Sequence, residues 1–316
     1  MPNITTLERI RFHGVADNKN VSGLAFWRGN ALVVTDERVD HDRNVLQILA
    51  PQGSDFRAMP GGLIELGRGD EMDLEGVAVD GDTVYVLGSH SWRRKLTKPP
   101  ATDAHLRAPL LGPPEAQPGR DVLFRISLSQ PGKPGHIAGT SLRKLLDTSE
   151  PFASFSKIAS KENGIDAEGL AIWKGQLYVG FRGPVLRDNF ACILRCKFGK
   201  PVQSPKILFV NLAGRGIRDL AHVKHGLLIL AGPIGDGPES YQLYFWNGND
   251  GVAGNDQDLT LLGELPALKS KGNDRTLAKA EGLALELEGK SHWDVLVVYD
   301  GLKDGHGIRL RIAKPR

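Results

Sequence analysis

A short phrase with a fixed order of polar, small and apolar positions recurs five times along the chain. A polar or charged residue comes first, glycine or aspartate second, leucine or valine third, and alanine fourth. The copies are Ser22-Gly23-Leu24-Ala25, Glu75-Gly76-Val77-Ala78, Glu168-Gly169-Leu170-Ala171, Arg218-Asp219-Leu220-Ala221 and Glu281-Gly282-Leu283-Ala284. Each copy is followed by a few polar or glycine residues and then by an apolar run. A strand, a tight turn and a second strand, repeated in this way, predict the blades of a β-propeller.

The spacing of the phrase predicts the number of blades. Neighbouring copies lie 50 to 63 residues apart, except for the 93 residues between Gly76 and Gly169. That interval leaves room for a sixth blade, but its residues 88–120 contain six prolines and no alternating apolar run. We therefore predict an all-β, five-bladed β-propeller, with a six-bladed propeller as the alternative. It is expected to be a single domain over residues 1–316, with a long loop insertion at about 88–120.

The outer strands of the blades are predicted from the remaining apolar segments. In the second blade, the outer strand is expected at residues 141–147. The last blade ends with an apolar run at residues 307–312, so its outer strand is missing at the carboxyl end of the chain. Residues 6–12 have the alternation to supply it, which would close the ring and protect the sheet edges.

Composition excludes some classes of function. The 316 residues carry a net charge of only +3, so no global basic field favours a nucleic-acid partner. No stretch approaches the ~18 apolar residues that a membrane-spanning helix needs. We expect a cytoplasmic protein with no membrane partner, and the oligomeric state stays open.

Candidate chemistry lies at one end of the central channel. In a propeller, the innermost strands place equivalent residues around the channel mouth, so Ser22, Glu75, Glu168, Arg218 and Glu281 would form a ring. Three carboxylates around one axis need a cation, a shared proton or a basic neighbour. Oxygen ligands suit calcium, and we predict a metal site of Glu75, Glu168 and Glu281. In the alternative, Arg218 neutralises the glutamates and the Glu-Gly pair serves only close packing.

Loops that follow the second strands reach the same face. They bring a histidine, a serine and several arginines next to the predicted ring, a combination that suits a phosphate-bearing substrate. The predicted catalytic residues are His90 as a general acid or base, Glu168 and Arg182. The predicted substrate-binding residues are Ser89, Arg93, Arg182 and Arg218. The same loops also carry Asp36, Glu37, Asp236, Asp300 and Asp304.

Two resemblances follow from these motifs. Residues 73–78, with the Gly88-Ser89-His90-Ser91 string after them, resemble an uncharacterised bacterial family of unknown function whose members are expected to be propellers. More distantly, Ala167-Glu168-Gly169 and the strand at 177–180 resemble the calcium-dependent apyrases, five-bladed propellers that hydrolyse nucleoside diphosphates, and phytase-like propellers. The apyrase resemblance implies that Glu75, Glu168 and Glu281 occupy calcium-coordinating positions, and Arg218 departs from it.

Two functions are therefore expected from the sequence. The first is a calcium-dependent hydrolase, acting on phosphate esters or anhydrides at the channel mouth. The second is a non-catalytic propeller whose top face binds a partner protein or a small anionic ligand. Whether the protein is an enzyme is left open between them.

Overall fold

The fold comes from a computed structural model of the chain. It describes residues 4–94, 102–235, 237, 239–253, 258–269, 277–302 and 306–315. These residues form five antiparallel blades, four of them with four strands and one with a fifth strand added in parallel. The five-bladed prediction is confirmed, and the six-bladed alternative is wrong because no sixth sheet of this kind forms among the described residues.

The chain starts in the last blade and then builds the first. Its first strands are β1 (Ile4–Ile10) and the short β2 (Phe12–His13). The first blade runs outward through β3 (Val21–Trp27), β4 (Asn30–Thr35), β5 (Arg43–Gln52) and β6 (Asp55–Arg68), and β2 pairs in parallel with β6.

The second blade contains the long insertion. Its inner strands are β7 (Leu74–Asp80) and β8 (Thr83–Gly88). Within the insertion, β9 (Trp92–Arg93) pairs with β10 (Glu115–Ala116), and helix α1 (Asp103–Leu111) lies between them in the chain. The outer strands are β11 (Leu123–Gln130) and β12 (Lys133–Thr140), after which helix α2 (Arg143–Thr148) leads to the third blade.

The remaining blades repeat the simple pattern. The third consists of β13 (Asp166–Trp173), β14 (Gln176–Leu186), β15 (Phe190–Lys197) and β16 (Gln203–Asn211). The fourth consists of β17 (Gly216–Val223), β18 (Gly226–Gly232), β19 (Gln242–Trp246) and β20 (Leu259–Glu264). The fifth consists of β21 (Lys279–Glu288), β22 (His292–Asp300), β23 (Gly307–Ala313) and β1.

The ring is closed by the N-terminal strand, as predicted. Strand β1 pairs antiparallel with β23, from Ile4 opposite Ile312 to Ile10 opposite Gly307. The five innermost strands contact one another in a closed cycle, β3 to β7, β13, β17, β21 and back to β3. The innermost strands are mostly buried, and all eight residues of β13 are. The core therefore lies between the faces of neighbouring blades.

The predicted outer strand at residues 141–147 is wrong. The outer strand of the second blade is β12, and the predicted segment is largely helix α2. Leu142 and Leu146 are fully buried against Phe152, a spacing of four residues that suits a helix. Strand β12 has only Ala138 buried, so its sequence lacks the alternation of a half-buried strand.

The helices are short. Helix α1 has nine residues and α2 has six. In the described part of the chain, no helix has the length and hydropathy required to cross a membrane.

Candidate functional site

The repeated glycine lets the innermost strands approach one another closely. A Cβ atom on Gly23 would lie 2.3 Å from the carbonyl oxygen of Glu75, on the next blade. A Cβ atom on Gly76 would lie 2.9 Å from the carbonyl oxygen of Glu168. Real side chains do not tolerate such distances to backbone atoms, so glycine is required here. The close approach brings the first residues of the five phrases near one another at one end of the channel.

A cavity of about 590 Å³ lies at this end of the channel, and we call it the mouth cavity. Its acidic lining residues are Asp36, Glu37, Glu71, Asp73, Glu75, Glu162, Asp166 and Glu281, and its basic lining residues are Arg93, Arg94, Arg120, Lys161, Arg182 and Lys279. Eight carboxylates therefore face six cationic side chains among the described residues. The sequence-based prediction that acidic and basic groups converge here agrees with this lining.

Two buried arginines occupy the centre of the ring. The Nη1 of Arg218 donates a hydrogen bond to Oε1 of Glu168 at 3.1 Å, and its Nε forms an ion pair with Oε2 at 3.0 Å. It also pairs with Glu281. Arg182 pairs with Asp166, and its Nη1 lies 2.9 Å from Oε1 of Glu168. Glu168 and the Arg218 side chain are each only 2% exposed, so Glu168 is held between two cations.

This arrangement changes the meaning of the predicted ring. In the alternative stated from the sequence, Arg218 neutralises the glutamates of the ring. The contacts of Glu168 and Glu281 agree with that alternative, because both carboxylates pair with Arg218. Burial raises the pKa of Glu168, and the two arginines oppose that shift. Ser22, the first residue of the first phrase, is also fully buried and donates a hydrogen bond to the carbonyl oxygen of Leu74. Four of the five ring positions, all except Glu75, are thus engaged within the protein.

Glu75 and Asp36 have a different electrostatic environment. Burial raises the pKa of Glu75 well above its usual value, and Glu168, Asp73, Glu281 and Asp36 raise it further. Burial, followed by Glu281 and other carboxylates, raises the pKa of Asp36 to about 9. One oxygen of Asp36, Oδ1, is buried and has no hydrogen-bond partner among the described residues. Burial and the neighbouring carboxylates therefore disfavour the charged form of both acids.

Asp73 is held at the edge of the cavity by its neighbours. Its carboxylate lies 2.7 Å from Nη1 of Arg120 and accepts hydrogen bonds from the hydroxyls of Ser89 and Ser91. Ser89 is fully buried, so the predicted substrate-binding serine positions a carboxylate in this structure. Arg120 also pairs with Glu71.

His90 lies outside the mouth cavity and is fully buried. Its Nδ1 donates to the carbonyl oxygen of Gly88 at 2.8 Å, and its Nε2 accepts the backbone N–H of Leu142 at 3.0 Å. Burial lowers its pKa to about 3. With both ring nitrogens bonded to backbone and no access to the cavity, His90 connects the end of β8 to the start of α2. A general acid or base must reach its substrate, and this placement does not allow it.

The insertion contributes to the rim of the mouth cavity. Arg93 is exposed and lines it, as expected for a substrate-binding residue. Arg94 pairs with Glu162 and donates to the carbonyl oxygens of Pro109 and Gly112, at the end of α1. Leu110 of α1 also lines the cavity, although the helix buries none of its residues. Asp236 and Asp304, which the sequence places on this face, lie outside the described residues.

Asp219 is an important residue that the sequence analysis did not single out. It stands where four phrases have glycine, and its carboxylate accepts backbone N–H groups from three strands. The donors are Leu220 at 2.7 Å, Leu170 at 3.4 Å and Leu283 at 2.6 Å, on β17, β13 and β21. Its only sequence signal is the Asp in a Gly position. The carboxylate therefore joins three neighbouring blades through their innermost strands.

The carboxylate oxygens that line the mouth cavity are suited to a hard cation, but they do not form a complete set of metal ligands. Among the described residues, no three His, Cys, Asp or Glu side chains are grouped to hold a metal ion. Calcium and magnesium both bind carboxylate oxygens, and both complete their coordination with water and other oxygen ligands. Asp36 and Glu75 fit an open site of this kind. The trio of Glu75, Glu168 and Glu281 fits less well, since arginines engage two of its members.

Comparison with solved structures shows similarity to other proteins at low sequence identity. A glycosyl hydrolase from Bacteroides ovatus is 10% identical, with a TM-score of 0.47, over 94% of this chain and 85% of that one. A DUF4623 family protein from Bacteroides eggerthii is 10% identical, with a TM-score of 0.43, over 95% and 72%. A protein from Lactobacillus plantarum is 13% identical, with a TM-score of 0.39, over 95% and 72%.

Comparison with curated proteins finds no match to this sequence. The distant resemblance to apyrase and phytase propellers therefore stays a prediction. A family model matches the chain twice, over residues 20–138 and 134–307, which together include the innermost strands of all five blades. The chain thus belongs to the family described as "Protein of unknown function (DUF3616)".

Proposed function

We propose that the mouth cavity binds calcium together with a phosphate-bearing substrate, and that the protein is a calcium-dependent hydrolase of phosphate esters or anhydrides. The observation that carries this proposal is the pair of half-buried acids, Asp36 and Glu75, that line the mouth cavity and whose pKa values are raised by desolvation and by other carboxylates. A bound cation would remove that repulsion.

The cation would be held by few protein ligands. Arg218 pairs with Glu168 and Glu281, whereas Asp36 and Glu75 line the mouth cavity and form no ion pair among the described residues. Substrate phosphate oxygens and water would complete the six to eight oxygen ligands that calcium takes. Calcium would supply positive charge to polarise the phosphoryl group and would lower the pKa of a bound water.

The arginines of the cavity would orient the phosphate. Arg93 is exposed at the rim, and Arg182 lines the floor with its guanidinium held by Asp166 and Glu168. An arginine fixed by carboxylates loses little further side-chain entropy when it binds a phosphate oxygen. In this proposal Glu168 positions Arg182 and Arg218, while Ser89 and Arg120 position Asp73.

The first experiment measures calcium binding and turnover. The melting temperature is recorded in a chelator, in calcium alone, and in calcium with phenyl phosphate; release of nitrophenol from 4-nitrophenyl phosphate and of phosphate from ADP is then assayed. We expect the largest melting temperature with both ligands, since each would complete the other's site. Turnover should require calcium.

A matched pair of variants tests the ligands. Glu75→Gln removes a proposed calcium ligand and should abolish both the calcium-dependent stabilisation and turnover. Glu37→Gln removes a carboxylate from the exposed rim of the same cavity and should leave both intact. A wild-type protein with no calcium effect and no phosphate release would refute the proposal.

A second function is favoured by one separate observation. Helix α1 buries none of its residues, and Leu110 and Leu111 are 61% and 85% exposed beside the mouth cavity. Contiguous exposed apolar surface marks the interaction sites of many proteins, and these two leucines would form the centre of such a surface. We propose, as the alternative, a propeller that binds a partner protein through this helix. Replacing both leucines with serine should abolish capture of the partner without lowering the melting temperature.

A further inference from the structure

A second cavity adjoins the mouth cavity, and we call it the side cavity. It has a volume of about 660 Å³ and shares Lys161, Arg182 and Lys279 with the mouth cavity as lining residues. The two cavities are therefore neighbouring compartments of one cleft. A volume of this size is typical of pockets that enclose small organic molecules.

The side cavity differs chemically from its neighbour. Much of its wall is apolar, and that part consists of Pro233, Leu265, Pro266, Ala267, Leu277 and Ala278. The rings of Tyr241 and Tyr299 also line it. None of the carboxylates Asp36, Asp73, Glu75 and Glu281 does so, although all four line the mouth cavity. Apolar walls beside a charged compartment suit a ligand with one charged end and one apolar end.

The polar end of the side cavity lies next to the proposed phosphate position. Arg182 lines both compartments, and Arg218 lines the side cavity beneath Tyr241, with which it interacts electrostatically. A phosphate group at Arg182 would thus place its ester substituent at the entrance to the apolar part. Desolvating that substituent contributes binding energy in proportion to the apolar area removed from water.

We propose that the side cavity binds the apolar organic group of a phosphate monoester, so that the substrate class is an aryl or alkyl ester and not an inorganic phosphate compound. This proposal rests on the proposed function, since it takes the mouth cavity to hold the phosphate group. It assigns Ala267, Leu277 and Tyr241 as residues that determine specificity.

The test compares two ligands that differ only in the organic group. Dissociation constants of phenyl phosphate and methyl phosphate are measured by ligand-observed NMR in the presence of calcium, and for an ester that is hydrolysed during the measurement kcat/KM is compared instead. For the wild-type protein we expect phenyl phosphate to bind about tenfold or more tightly than methyl phosphate. Ala267 is an exposed residue that lines the side cavity, and the indole ring of Ala267→Trp should narrow this cavity. In this variant the affinities for the two esters should differ by no more than about twofold.

Two further variants make the result interpretable. Ala313→Trp places the same ring at an exposed position in β23 that lines neither cavity, and it should keep the wild-type preference. Leu277→Ser changes a half-exposed wall residue, and it should reduce the preference without preventing folding.

Each outcome bears on the proposals differently. Tight binding of phenyl phosphate without its hydrolysis would support the side cavity and refute the hydrolase. If both esters are hydrolysed and bind with equal affinity, the result would support the hydrolase and overturn the side cavity as a specificity pocket. If both Ala267→Trp and Leu277→Ser keep the wild-type preference for phenyl phosphate, the side-cavity proposal would also be overturned. The same conclusion would follow if neither ester binds.

Discussion

Removing the carboxylate of Asp219 should destabilise the propeller more than removing any surface acid. In Asp219→Ala, three backbone N–H groups lose their acceptor, two of them from hydrogen bonds of 2.6 and 2.7 Å. A buried donor left without a partner costs about 1–3 kcal/mol. Because the third hydrogen bond is long, at 3.4 Å, we count two donors and expect a loss of about 2–5 kcal/mol in the free energy of unfolding. Burial raises the pKa of Asp219, so removing this acid also relieves a desolvation cost and places the expected value below the upper limit.

Urea denaturation followed by tryptophan fluorescence measures this change, since the chain has five tryptophans. Asp219→Asn is expected to lose less, because its amide oxygen replaces one carboxylate oxygen as acceptor. The control is Asp103→Ala, which removes an exposed acid paired with Arg107 and should cost less than about 1 kcal/mol. If Asp219→Ala and Asp103→Ala have equal effects, the carboxylate does not join the blades as we infer.

Three other predictions test the same structure. Burial lowers the pKa of His90 from 6.5 to about 3, so between these values the unfolded chain binds a proton that the folded chain excludes. Acidification from pH 7 to pH 5 should therefore lower the free energy of unfolding by about 2 kcal/mol. Urea titrations at the two pH values should show this loss for the wild-type protein and not for His90→Asn. Gly23→Ala should lower the free energy of unfolding, measured in urea, by about 2 kcal/mol or more, because the new Cβ would collide with the carbonyl oxygen of Glu75. Gly135→Ala is the control; its Cβ would make only an ordinary contact, and it should cost less than about 1 kcal/mol. Arg218→Met should cost about 3–5 kcal/mol at neutral pH, because it removes the cation that pairs with two buried glutamates and leaves Glu168 with Arg182 alone. Arg28→Met should cost less than about 1 kcal/mol, and equal melting temperatures would contradict the prediction.

The number of blades and their closure followed from local patterns. The phrase recurs because the innermost strands pack closely against one another, and in four of the five phrases glycine leaves room for the neighbouring strand. The strand at the N-terminus could be paired with the last blade because that blade was one strand short. The helix α2 was missed because Leu142, Leu145 and Leu146 were interpreted as a strand, although their spacing of three and four residues is helical.

The individual roles at the mouth did not follow from the sequence. His90, Ser89 and Arg93 are close in the chain, yet only Arg93 faces the mouth cavity. The first two have their polar atoms bonded within the protein, to backbone groups and to Asp73. Spacing along a loop does not reveal which side chains turn inward, because that depends on partners far away in the chain.

The sequence by itself determined the all-β class, the five repeats and the gathering of charged residues at one end of the channel, because these depend on periodic patterns that each blade expresses locally. Only the tertiary structure decided how the charges pair. Arg218 lies 50 residues from Glu168 and 63 from Glu281 in the chain and contacts both across blade boundaries. Which carboxylates are neutralised, and which are left to attract a cation, depends on distances of a few ångströms between strands, and those distances exist only once the ring has closed.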